Sequence, residues 1–199
     1  MNTKGIGRLE KAIELAANEG ILMFCAATDQ GVYRDRSFPA ASSTKRLFKI
    51  GAAEASGTAF KWIGDQSAID FIFPGHNVEP RAGDGPLDKH ASLTGSSVAT
   101  ALAAGLAAVI LYSVQVGALN PTERAKHKGL TMEDFRTLRK HERMKEAFLE
   151  IGTTGESDKK YIAVWERFDE AVKKAKSQEP DTVIDVVSGL ANLLRKRQL

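Results

Sequence analysis

Two serines stand side by side where a loop gives way to a long apolar stretch: Gly95-Ser96-Ser97-Val98-Ala99-Thr100-Ala101-Leu102-Ala103-Ala104-Gly105. Glycine at 95 lets the backbone bend and approach a neighbour closely, and the pattern predicts a helix starting at about Ser97. The first turn of a helix carries N–H groups without intrahelical acceptors and a partial positive charge. A serine there has two uses. It caps the helix by accepting from those N–H groups, or it is a nucleophile whose oxyanion product the same groups would stabilise.

A serine nucleophile needs a base to take its proton. Of the four histidines, His76 and His90 fall in expected loops, and His127 and His141 in a charged C-terminal region. Each reads as a loop or tail residue rather than a base. No two of them sit at helical ligand spacing, so no metal site is expected. Asp65, Asp70, Asp84 and Asp88 share no calcium-loop rhythm and read as solvated loop residues, so no cofactor is expected. Cys25 lies within an apolar run and reads as an inert buried thiol. One thiol excludes a disulfide scaffold and a Cys-rich zinc site, and suits a reducing compartment.

The elements that must position these groups follow from periodicity. Leu9, Ile13, Ala16 and Ala17 predict a helix over residues 8–19 that stops at Gly20. Residues 21–27 are continuously apolar, as in a strand covered on both faces of a parallel sheet. Residues 47–52 and 68–73 are further strand candidates, 59–63 a weaker one. Pro74-Gly75 ends the third, and Gly83, Gly85 and Pro86 mark a loop. Residues 98–119 contain no charge and are long enough to span a bilayer,. Their Ala and Gly content, with Thr100, Ser113 and Gln115, reads instead as a buried core helix, and no membrane is expected. The sum is an α/β layer structure.

Charge divides the chain. Residues 1–120 are neutral, and the whole net charge of +3 lies in 121–199. That second region reads as helices only. Thr131 with Asp134 resembles a capping box. Tyr161, Val164, Trp165, Phe168, Ala171, Val172 and Ala175 trace one apolar stripe, and Val183, Val186, Val187, Leu190, Leu193 and Leu194 another. Lys173, Lys174, Lys176 and Arg195-Lys196-Arg197 fall in last turns, where cations complement the helix dipole, so no nucleic-acid partner is expected. After Met1 no apolar run precedes a small-residue cleavage site, which predicts no secretory signal and a cytoplasmic location.

The run from Gly95 to Gly105 resembles the nucleophile motif G-T-S-x-A-x-P-x-x-x-G of the subtilisin-like serine peptidases. Gly95, Ser97, Ala99 and Gly105 fall on that pattern, with Ser96 in place of Thr and Ala101 in place of Pro. Residues 21–31 look like the strand that leads into the family's A-G-N-x-G oxyanion loop, and Phe73-Pro74-Gly75 looks like its A-P-G segment. The likeness covers roughly residues 12–112 and is shared with intracellular fungal proteins that carry a subtilase-like domain and a helical tail.

The resemblance implies a serine endopeptidase with Ser97 as nucleophile and Asp29 at the oxyanion position, acting on protein or peptide substrates. It implies residues 1–119 as the C-terminal half of an incomplete subtilisin-like parallel sheet with a buried nucleophile helix, and 120–199 as a helical tail. Two departures matter. The oxyanion position usually holds Asn, whose amide donates; an ionised Asp29 only accepts. Loss of that donor in subtilisin itself costs about two to three orders of magnitude in turnover. The family's order is Asp, His, oxyanion residue, Ser, yet neither D-[ST]-G nor H-G-T occurs here. The expectation is a chain inactive by itself, completed by a missing N-terminal half, or else a binding or scaffold module without catalysis. A sheet lacking its N-terminal strands also predicts self-association through an open edge.

Overall fold

The computed structural model describes residues 3–31, 38–42, 45–79, 92–119, 130–151, 153–154, 160–165, 168–169, 173, 187, 189 and 191. Helix α1 spans Thr3–Asn18. Gly20 follows at φ 70°; its N–H donates to Ala17 O at 3.1 Å and that of Ile21 to Ala16 O at 3.0 Å. This is a Schellman cap, whose left-handed position suits glycine. The cap takes up Ile21, so the strand expected over 21–27 is shorter, and β1 is Phe24–Ala26.

Strands β2 (Phe48–Ala53) and β3 (Phe71–Pro74) are buried almost throughout, as their near-continuous apolar sequences require of central parallel strands,. Phe24 lies opposite Phe48, and Ile50 opposite Phe71. The weaker candidate at 59–63 is no strand. Only Ala59 bridges to Ala53 before the chain turns, with Ile63 N–H on Phe60 O at 2.9 Å. Phe60 and Ile63 still enter the core, which is why the run is apolar. A 3-10 turn at Gln66–Ala68 precedes β3, its Ser67 N–H held by Asp65 Oδ1 at 3.0 Å.

Helix α2 (Ser96–Leu119) packs on all three strands. By length and composition it could cross a membrane, but one face (Ala99, Ala103, Ile110, Val114) is fully buried against the sheet. Helices α3 (Met132–Leu138) and α4 (His141–Ile151) follow. The expected capping box is present: Asp134 N–H donates to Thr131 Oγ1 at 3.2 Å and Thr131 N–H to Asp134 Oδ2 at 2.8 Å.

The reading of 121–199 as helices only is corrected. β4 (Thr153–Thr154) and β5 (Tyr161–Ile162) complete a five-stranded sheet in the order β1-β2-β3-β5-β4, with β5 parallel to β3 and β4 antiparallel to β5. Tyr161, Ile162 and Ala163 are all buried. Three consecutive buried residues suit a covered strand, and the helical stripe begins only at Val164, where the backbone is helical again. Phe148 of α4 joins the two regions, its ring centroid 5.7 Å from Phe48, 5.4 Å from Phe71 and 5.8 Å from Phe73. Of the last apolar stripe only Val187 is among the described residues, and the loop at Gly83, Gly85 and Pro86 lies outside them.

Candidate functional site

The C-terminal ends of β1, β2 and β3 converge on the N-terminus of α2. After β1 the chain is held by Ala27 N–H on Ile50 O at 2.8 Å, Gly64 N–H on Thr28 O at 3.0 Å and Gly31 N–H on Trp62 O at 2.7 Å. These bonds fix the tip that carries Asp29. After β3, Gly75 O accepts Gly95 N–H at 2.7 Å. A Cβ at Gly75 would lie 2.7 Å from Ala52 Cβ, so the close approach requires glycine,. Gly95 has φ 142°, a conformation L side chains rarely adopt,.

Gly95 occupies the position from which a side chain would ordinarily cap α2, and it has none. The cap arrives from another segment. Asp29 Oδ2 accepts Ser96 N–H at 2.6 Å and Asp29 Oδ1 accepts the Ser96 hydroxyl at 2.6 Å. Ser96 Oγ, 0% exposed as a residue, in turn accepts Ala52 N–H at 3.1 Å. One carboxylate and one buried serine thus tie the β1 tip, β2 and α2 together. A carboxylate at a helix N-terminus is stabilised by about 0.3–2 kcal/mol.

Ser97 differs from its neighbour in every respect that matters to chemistry. It is exposed. Among the described residues neither its hydroxyl nor its N–H has a hydrogen-bond partner. Asp29 and Ser97 are brought to one point: a Cβ at Gly95 would lie 3.3 Å from Asp29 Oδ2 and 3.4 Å from Ser97 Oγ. The pair therefore divides the two uses of a first-turn serine. Ser96 is consumed in structure, though as a donor rather than a cap, and Ser97 presents a free hydroxyl beside a free donor. An Asp29 carboxylate with both oxygens engaged supplies no donor of its own.

The remaining candidates are dispersed. His76 Nδ1 lies 3.3 Å from Glu54 Oε2, and its ring stacks on Phe60 at 4.7 Å, with no contact to Ser97. His141 is in α4, its ring tilted against that of Phe48 with centroids 4.1 Å apart. His90 and His127 lie outside the described residues, as do Asp84 and Asp88. Asp65 caps its turn, while Asp70 accepts Lys49 N–H at 3.0 Å and Lys145 Nζ at 2.9 Å. Cys25 is buried, and desolvation pushes its thiol up to about 11, against a smaller lowering by Lys49. Among the described residues no group of three His, Cys, Asp or Glu could hold a metal ion. Sequence reasoning missed Ala52 N–H and Gly75 O as site-builders. Both are backbone groups, and only the place of Ala52 in β2 and of Gly75 just past β3 could have signalled them.

The sequence model of the Subtilase family matches residues 2–147. Among curated proteins, the "Major intracellular serine protease" of Bacillus subtilis (strain 168) is 28% identical over 109 residues, which are 53% of this chain and 33% of that protein. The match thus spans about one third of the relative's length.

Proposed function

This chain belongs to the subtilase family, and from that premise we propose that it carries the nucleophile half of a serine endopeptidase. Ser97 attacks the carbonyl carbon of a peptide bond; its own N–H, in the first turn of α2, donates to the oxyanion that forms. The observation that carries this reading is the exposed, unengaged Ser97 hydroxyl beside an unengaged N–H at a helix N-terminus.

The His that would take the serine proton, and the Asp that would orient it, come from outside these 199 residues, supplied by the remainder of a subtilase domain. That remainder sits on the apolar outer face of α2 and the edge of β1, surfaces that otherwise favour self-association. Alone, the chain is inactive, because an unassisted serine hydroxyl is a poor nucleophile at neutral pH. The substrates are proteins or peptides, and the location is cytoplasmic, in keeping with the "intracellular" of the relative's name.

A second reading rests on Asp29. By resemblance Asp29 takes the family's oxyanion position, and its carboxylate is committed to Ser96. A subtilase-like module kept for binding or scaffolding, without catalysis, accounts for that equally. A fluorophosphonate probe separates the two readings. The first expects no labelling of the chain alone, labelling of Ser97 once a subtilase N-terminal half is co-refolded with it, and loss of that label in Ser97→Ala. A folded, reconstituted complex that stays unlabelled selects the second.

A further inference from the structure

At the Ser97 end of the sheet a tryptophan is held outward on a fixed frame. Gly31 N–H donates to Trp62 O at 2.7 Å and Gly64 N–H to Thr28 O at 3.0 Å. The turn that carries Trp62 is therefore tied to the β1 tip on both sides of Asp29. A Cβ at Gly64 would lie 2.8 Å from Thr28 Oγ1 and 3.1 Å from Gly31 O, an approach that requires glycine,. Phe60 and Ile63, which flank Trp62 in this turn, are buried in the core and fix the face that the turn presents.

The ring itself is uncovered. Trp62 is 53% exposed, and among the described residues no aromatic ring lies against it. The chain's other tryptophan, Trp165, lies edge-on to Tyr161 at 5.9 Å. The contacts of Trp62 are marginal by comparison. Lys61 Nζ is 5.5 Å from its ring centroid, and a Cβ at Gly31 would lie 3.9 Å from Cε3. Gly31, at φ 70°, has no side chain with which to cover it.

A single exposed apolar residue is ordinary. What separates Trp62 from one is its frame. The tip to which its turn is bonded also carries Asp29, which holds the first turn of α2 through Ser96, beside Ser97. A tryptophan so fixed has few rotatable bonds left to order when it makes a contact. An open flat ring has no walls to enclose an aliphatic side chain, whereas a second ring can lie along it or meet it edge to face.

We propose that Trp62 determines specificity at the Ser97 site, its ring receiving an aromatic side chain of the peptide substrate. This rests on the reading of Ser97 as the nucleophile. It adds the substrate class that the site selects.

The chain co-refolded with a subtilase N-terminal half is first treated with a fluorophosphonate, whose reaction reports Ser97 without any substrate side chain. The same complex is then given peptides that differ only in Phe or Leu at successive positions on both sides of the bond, and kcat/KM is compared. Phe is expected to exceed Leu by about three- to tenfold at one position. Trp62→Ala should abolish that preference and Trp62→Tyr, which keeps a ring, should retain it, with thermal melting verifying that both variants fold. Trp165→Phe, next to Tyr161, leaves the preference unchanged. A complex that is not labelled removes the nucleophile reading and this inference with it. A labelled complex with no Phe preference at any position, or with a preference that survives Trp62→Ala, overturns the role of Trp62 alone.

Discussion

Along α2, Ala99, Ala103, Ile110 and Val114 face the sheet and are fully buried, whereas Leu102, Val109, Tyr112 and Leu119 face solvent at 44–67% exposure. Both faces are apolar. A helix apolar all round is suited to burial on every side, and the described residues supply partners for one side only. The inner face is therefore explained by β1–β3 and α3, and the outer face, on the proposed reading, by the remainder of a subtilase domain. Ser97 stands on the exposed side of the first turn, so on that reading the uncovered face and the proposed nucleophile are completed by the same partner.

The largest expected effect tests the inner face. Ile110→Ala removes a fully buried side chain and should destabilise the chain by about 2–5 kcal/mol. Val109→Ala, one residue earlier on the outer face, should cost less than about 0.5 kcal/mol. Urea unfolding midpoints of the two variants measure the difference directly. Equal losses would mean that the two faces are covered alike, and the comparison would collapse.

Next comes the tie that sets the first turn of α2. Ser96 presents two donors to Asp29, and the carboxylate accepts both. In Asp29→Asn only one side-chain oxygen remains to accept, and the amide N–H₂ must face a donor. A loss of about 1–3 kcal/mol is expected. Unchanged stability would show that Asp29 is held by the β1 tip alone and that Ser96 contributes nothing to the position of Ser97.

How far the sequence announced this arrangement depends on the range of each interaction. Gly20 as a helix stop, the Thr131–Asp134 cap and the apolar runs of β2 and β3 are local, and their residues declare them. Tyr161 and Ile162 were misleading because a short strand that runs straight into a helix shares its apolar residues with the helical stripe. The cap on α2 was illegible for a different reason. A glycine stands at the capping position, and the acceptor comes from Asp29 on another element. The convergence of Asp29 with Ser97 came only through family resemblance, since no spacing rule links tips of separate strands.

A smaller effect reports how dry the covered side is. Burial raises the Cys25 thiol to about 11 from an ordinary value of 9.0. The unfolded chain ionises this group first, so the full stability holds below pH 9 and declines as pH rises towards 11. The decline is about 1.4 kcal/mol per pH unit at its steepest. Cys25→Ala should flatten that part of the stability profile between pH 8 and 11. A profile unaltered by the substitution would mean that water reaches the thiol and that β1 is not sealed around it.

The smallest change in stability should accompany the largest change in assembly. Leu102→Gln with Tyr112→Gln alters two exposed side chains of the outer face, and single exposed substitutions stay within about 0.5 kcal/mol. Apolar surface left in water drives association, so sedimentation of the wild-type chain should show concentration-dependent oligomers that the double variant loses. The same two glutamines should then weaken co-refolding with a subtilase N-terminal half, because one surface serves both purposes. Loss of oligomers with undiminished co-refolding would separate the surfaces: self-association would use the outer face of α2, and the added subtilase half would dock on the β1 edge alone, approaching Ser97 from that side.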